Sequence, residues 1–85
     1  MPEIVIYTQE WCPYCVRAKQ LLTKKGASFT EIDAPGGTPA RAEAQAKSGG
    51  RTSVPQIFIA GQHIGGCDDL VALDRSGKLD ALLAG

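Results

Sequence analysis

The chain has 85 residues, 44% of them apolar, which is enough for one modest core and too few for two. Nine basic residues balance nine acidic ones, so no net field draws the chain to nucleic acid or to an anionic membrane. The apolar stretches are far too short to span a bilayer, and the odd count of three cysteines argues against a secreted disulfide scaffold. Met1-Pro2-Glu3 lacks the basic and apolar regions of a signal peptide. The expectation is one domain over residues 1–85, cytoplasmic and monomeric, with neither nucleic acid nor membrane as a partner.

Ile4 to Thr8 is a continuous apolar run with β-branched residues, the pattern of a strand buried on both faces. Val16 to Lys25 reads as an amphipathic helix. Cys15, Ala18, Leu21 and Leu22 share one side; Arg17, Lys19, Gln20, Lys24 and Lys25 face away, and Gly26 is a natural stop. Ser28 to Ile32 is a second strand of imperfect alternation, which makes a βαβ unit with a right-handed crossover. Ala34-Pro35-Gly36-Gly37 is a loop. Thr38 caps a helix that begins at Pro39 and ends at Ser48-Gly49-Gly50; its apolar face is weak, so light packing is expected. Gln56 to Ala60 is a third strand. Gly61-Gln62 reads as a two-residue hairpin turn, after which His63 and Ile64 begin a return strand that stops at Gly65-Gly66. A last helical stretch starts near Asp68, with a break at Ser76-Gly77. The predicted order is β-α-β-α-β-β-α.

Chemistry centres on Cys12-Pro13-Tyr14-Cys15. Two thiols three positions apart lie on the same side of one helical turn, directly after a strand. A helix N-terminus carries unpaired N–H groups and partial positive charge, both of which favour thiolate over thiol. Pro13 suits the first helical position, where a missing N–H costs nothing. Cys12 is then the N-cap and the more exposed sulfur, while Cys15 lies one turn inside. Arg17 and Lys19 add a weak, screened positive field. Half a zinc site is the first competing reading, but structural zinc wants four ligands, and Cys67 and His63 are the remaining candidates. A structural disulfide is the second; it would close a very small loop and constrain the unfolded chain little.

Three separated motifs resemble those of the glutaredoxins, in the thioredoxin-fold family. They are Tyr7-Thr8 followed by Cys12-Pro13-Tyr14-Cys15, then Arg51-Thr52-Ser53-Val54-Pro55-Gln56-Ile57-Phe58-Ile59, and Ile64-Gly65-Gly66-Cys67-Asp68-Asp69-Leu70. The resemblance is to the small dithiol glutaredoxins of bacteria and spans nearly the whole chain. It implies an α/β fold with a four-stranded mixed sheet flanked by helices. It implies Cys12 and Cys15 as catalytic residues, and glutathione as co-substrate with no bound cofactor or metal. Its implied glutathione-binding residues are Gln9, Tyr14, Ser53, Val54, Pro55, Gly66, Cys67 and Asp68. Pro55 is expected to be cis, with Val54 offering backbone groups to the cysteine of glutathione as one strand-like rung. The N-terminus of the helix opening at Cys67-Asp68-Asp69 is expected to receive the γ-glutamyl carboxylate. From the residues alone, Asp68 and Asp69 read first as helix-start residues, Cys67 as a small core residue, His63 as a surface residue without a partner, and Tyr7 as core-facing.

Two positions depart from the family pattern. Gln9 stands where many glutaredoxins carry a lysine that pairs with the glycine carboxylate of glutathione; it can hydrogen-bond but not ion-pair. Arg41 and Gln45 are nearby candidates to assist, the aligned position being Ala42. Trp11 stands where glutaredoxins more often have a small polar residue. The expected activity is reduction of protein disulfides and glutathione mixed disulfides. Glutathionylated and disulfide-containing proteins are the expected partners. Two alternatives are a thioredoxin-like reductant, against which Gly66-Cys67-Asp68 argues, and an iron–sulfur carrier using Cys12, against which Pro13 argues.

Overall fold

The computed structural model describes residues 2–85; Met1, which belongs to the expected domain 1–85 and the N-terminal segment considered above, lies outside the described residues. Eight elements follow in order: β1 (Ile4–Thr8), α1 (Pro13–Lys24), β2 (Thr30–Asp33), α2 (Pro39–Lys47), β3 (Gln56–Ile59), β4 (Gln62–Gly65), α3 (Cys67–Arg75) and α4 (Lys78–Ala84). The four strands form one mixed sheet in the order β2-β1-β3-β4. β1 runs parallel to β2 and antiparallel to β3, and β3 is antiparallel to β4.

Strand periodicity sorts the two cores. Ile4 and Ile6 of β1 and Ile57 and Ile59 of β3 point to one face. There they meet Ala18 and Leu22 of α1, Leu70 of α3, and Leu79 and Leu83 of α4. Tyr7 and Phe58 point to the other face, with Ala44 of α2. The second core is smaller because α2 offers alanines, as its weak apolar face predicts. The Tyr7 ring meets Phe58 edge-on at 5.7 Å, and its hydroxyl donates to Glu43 Oε2 at 2.7 Å. Tyr7 is core-facing, as expected. Burial, then the Glu43 carboxylate, push its phenol above the usual value.

Three boundaries differ from the sequence reading. β2 runs over Thr30–Asp33 rather than from Ser28 to Ile32, because β1 first offers it a partner at Val5, opposite Thr30. The chain before it is still closing α1, with the Ala27 N–H donating to Leu22 O at 3.0 Å. The hairpin turn is Ala60-Gly61, one residue earlier than Gly61-Gln62, so β3 ends at Ile59 and β4 begins at Gln62. Both turn residues have positive φ, 52° and 78°, as a type I′ turn requires. Alanine rarely takes that region, which is why the sequence reads it as strand. The last helical stretch is two helices, giving the order β-α-β-α-β-β-α-α. Gly77, at φ 79°, turns the chain between them. Lys25 Nζ bridges Asp74 Oδ1 at 2.7 Å and Asp80 Oδ1 at 2.9 Å, tying the end of α1 to both.

Candidate active site

β1 delivers the chain to the rim of the sheet, where Cys12 caps α1. Its backbone is extended, at φ −112° and ψ 100°, and its sulfur accepts the Cys15 N–H at 3.1 Å. The Cys12 carbonyl accepts the Val16 N–H at 3.1 Å, and Pro13 fills the first helical position. Cys15 is 1% exposed, while Cys12 is half-buried. The Cα atoms are 5.2 Å apart and the two sulfurs face each other at close to disulfide distance. This is a dithiol poised to open and close, with one sulfur accessible and stabilised by a helix N-terminus. Among the described residues, no three His, Cys, Asp or Glu side chains gather as a metal site, so Cys67 and His63 do not complete a zinc set.

The expected field from Lys19 is largely spent elsewhere. Its Nζ pairs with Glu31 Oε2 at 2.9 Å, and the Thr8 hydroxyl donates to the same oxygen at 2.6 Å. Those contacts, the hydroxyl first, hold the Glu31 carboxyl below the usual range.

Beside the dithiol lies a cleft of about 170 Å³. Tyr14, Ser53, Val54, Pro55, Gly66, Cys67 and Asp68 all line it, so seven of the residues named for glutathione converge there. Cys12 Sγ lies 3.9 Å from the Val54 carbonyl, at the cleft's edge. The Val54–Pro55 peptide is cis. Arg51 and Asp69 complete the lining and were not among the expected site residues. Arg51 begins the second motif, and its charge was the signal available.

The two aspartates differ in their contacts. Asp69 is the cap: its Oδ2 accepts the Gly66 N–H at 2.9 Å and pairs with Arg51 Nη1 at 3.0 Å. The backbone bond, then Arg51, holds its carboxyl below the usual range. Asp68 makes no such bond; it is exposed and faces the cleft. Gly65 permits this corner. Its φ is 121°, and a Cβ there would collide with the Asp69 carboxylate and come within 2.9 Å of Arg51 Nη1.

Gln9 does not line the cleft. Its Oε1 accepts from Arg41 Nη1 at 2.8 Å, and the same guanidinium reaches the Ala34 carbonyl at 2.9 Å. Arg41 also donates to the Thr52 carbonyl from Nε at 3.1 Å and Nη2 at 2.9 Å. Arg41, reaching from α2, thus places a positive charge beside Gln9.

His63 has a partner, contrary to expectation. Its Nε2 lies 2.7 Å from Oε1 of Gln56, whose side chain is fully buried, and its ring packs on Phe58 at 5.1 Å. Gln56 Nε2 donates to the Ser53 carbonyl at 3.0 Å. That carbonyl only accepts, so the amide oxygen faces His63, which must be protonated on Nε2. The pair anchors the Ser53-Val54-Pro55 loop from behind, a link that sequence alone does not show. Cys67 is 4% exposed, and burial pushes its thiol up, which suits a core residue and not a nucleophile.

A thioredoxin-like mixed sheet with a redox-active cysteine pair at the start of α1 defines the class: a dithiol redox protein. The glutaredoxin family profile matches residues 4–64. A glutaredoxin of Pseudomonas aeruginosa is 61% identical over 84 residues, covering 99% of both chains. The solution structure of a Brucella melitensis glutaredoxin superposes with a TM-score of 0.83 at 60% identity, over 98% of this chain and 89% of that one. The crystal structure of a buckwheat glutaredoxin–glutathione complex superposes with a TM-score of 0.86 at 32% identity, over 98% of this chain and 77% of that one. The chain belongs to the glutaredoxin family.

Proposed function

We propose that this protein is a glutathione-dependent thiol–disulfide oxidoreductase acting on protein disulfides and glutathione mixed disulfides. The observation that carries the proposal is the convergence of Tyr14, Ser53, Val54, Pro55, Gly66, Cys67 and Asp68 on one cleft beside Cys12 Sγ. The solved buckwheat glutaredoxin–glutathione complex supports glutathione as the ligand. In this reading Val54 offers its backbone to the cysteine of glutathione. The N–H groups opening α3 meet the γ-glutamyl carboxylate, and Asp68 meets the ammonium. Gln9 and Arg41 meet the glycine carboxylate. Asp68 is free for this because Asp69 already caps α3.

The chemistry needs no metal or bound organic cofactor. The Cys12 thiolate attacks one sulfur of the substrate disulfide; a new S–S bond forms to Cys12 and the other sulfur leaves as thiolate. On a protein substrate, the Cys15 thiolate then attacks Cys12 Sγ, closing the Cys12–Cys15 disulfide and releasing the second substrate sulfur reduced. One glutathione thiolate reopens that disulfide at Cys12, and a second attacks the bound glutathione sulfur. Cys12 leaves as thiolate, with glutathione disulfide as the oxidised product. On a glutathionylated substrate Cys12 takes the glutathionyl group, and one further glutathione releases it. The test is turnover of a small glutathionylated thiol coupled to glutathione reductase. Turnover is expected there, and not when thioredoxin reductase replaces the glutathione system.

A further inference from the structure

Arg51 to Val54 lie in no strand or helix, so the sheet does not fix their backbone. Side chains hold it instead, one carbonyl at a time. Ser48 Oγ donates to the Arg51 carbonyl at 3.2 Å, the Arg41 guanidinium to that of Thr52, and Gln56 Nε2 to that of Ser53 at 3.0 Å. The last of these bears on the ligand. The Ser53–Val54 peptide is planar and trans, so its C=O and N–H point in opposite directions. With the carbonyl held by the buried Gln56, the Val54 N–H is turned outward, and Val54 lines the cleft. The Gln56 amide can do this in one orientation only. Rotated by half a turn, it would set its oxygen against the Ser53 carbonyl, acceptor against acceptor. His63 selects the orientation, with Nε2 at 2.7 Å from Gln56 Oε1; Gln56 is 0% exposed, so solvent cannot take the ring's place. A bulge in β4 puts His63 there. Ile57 pairs with Gly65 but Phe58 with His63, which leaves Ile64 as the extra residue and rests the ring on Phe58.

We propose that His63 is a positioning residue for glutathione: by fixing the Gln56 amide, it aims the Val54 N–H at the cysteine of the tripeptide. The inference deepens the proposed function and rests on Val54 being the strand-like rung. His63 acts from behind the loop, through Gln56 and then the Ser53–Val54 peptide plane. Its loss therefore weakens the hold on glutathione and leaves attack by Cys12 unchanged.

Two substitutions of similar polarity separate this role from a merely structural one. His63→Gln keeps an N–H donor at the reach of the ring's Nε2, whereas His63→Asn stops short of Gln56 Oε1. In the assay coupled to glutathione reductase, His63→Asn is expected to raise the KM for glutathione about fivefold, what one neutral hydrogen bond is worth, with kcat within about twofold. His63→Gln should restore the KM to within about twofold of the wild-type value. In a Gln56→Leu background no amide remains to be oriented, so His63→Asn should raise the KM no further. Long-range proton–nitrogen NMR of the wild-type protein, which depends on no variant folding, should show the neutral His63 ring protonated on Nε2. A KM shared by the Asn and Gln variants, or a ring protonated on Nδ1, overturns the inference alone. Absence of glutathione turnover in the wild-type protein overturns the proposed function with it.

Discussion

The two cysteines differ by one helical turn, and that turn decides their roles. Cys12 is at the cap and half-buried, while Cys15 is sealed and donates its N–H to Cys12 Sγ. Cys12→Ser is expected to abolish turnover on every disulfide. Cys15→Ser should keep activity on glutathionylated substrates, since glutathione can release Cys12, and lose most reduction of protein disulfides. Equal losses on a glutathionylated peptide would contradict the assignment. Thiolate absorbance against pH should place Cys12 well below a free thiol's value of about 8.5, now with less help from Lys19 than its position suggests. The adjacent aspartates give a second contrast. Asp68→Ala should raise the KM for glutathione about three- to tenfold, a charge-assisted contact discounted for exposure, with little change in Tm. Asp69→Ala should do the reverse in emphasis, costing about 1 kcal/mol of stability through the lost cap. Steady-state kinetics and thermal unfolding on both variants separate the two.

At the scale of elements, what was legible in the sequence was what local chemistry dictates. Apolar runs gave β1 and β3, and Thr38-Pro39 and Cys12-Pro13 gave two helix starts at the right residues. The cleft was legible only through the family's motifs, since its walls come from segments distant in sequence. What escaped the sequence depends on tertiary partners. The start of β2 is set by where β1 offers a ladder, and the hairpin register by an alanine in an unfavoured backbone region. Arg41 was already a candidate beside Gln9 in the sequence, but its contact with Gln9 rather than one from Gln45, and His63 reaching the active-site loop through Gln56, needed the fold. The corner between β4 and α3 is the most constrained of these joints. Gly65→Ala should strain the backbone and push the Asp69 carboxylate off the Gly66 N–H, costing about 1–3 kcal/mol and raising the KM for glutathione together with the loss of stability. Denaturant unfolding and kinetics on this one variant check both effects.

Across the whole molecule, the carboxyls whose folded-state pKa lies below the ordinary value set the acid limit. Asp69 is held down by the Gly66 N–H and Arg51, and Glu31 by the Thr8 hydroxyl and Lys19. Each contributes stability that is fully present above its unfolded value, about 4, and is lost as pH falls through its folded value. Tm should therefore be flat from neutrality to about pH 5 and decline below about pH 4. Their side chains are 46% and 40% exposed, so each accounts for a few tenths of a kcal/mol. Asp69→Asn and Glu31→Gln should each flatten the decline in a Tm–pH profile. Under the proposed function, the whole fold serves a dithiol recharged by glutathione. The most direct test feeds the oxidised protein electrons from either glutathione with glutathione reductase or thioredoxin reductase, with a small glutathionylated thiol as acceptor, and follows nicotinamide oxidation. Turnover with the glutathione system, absent in Cys12→Ser and retained in Cys15→Ser, is the predicted result. Turnover with thioredoxin reductase and none with glutathione would contradict it.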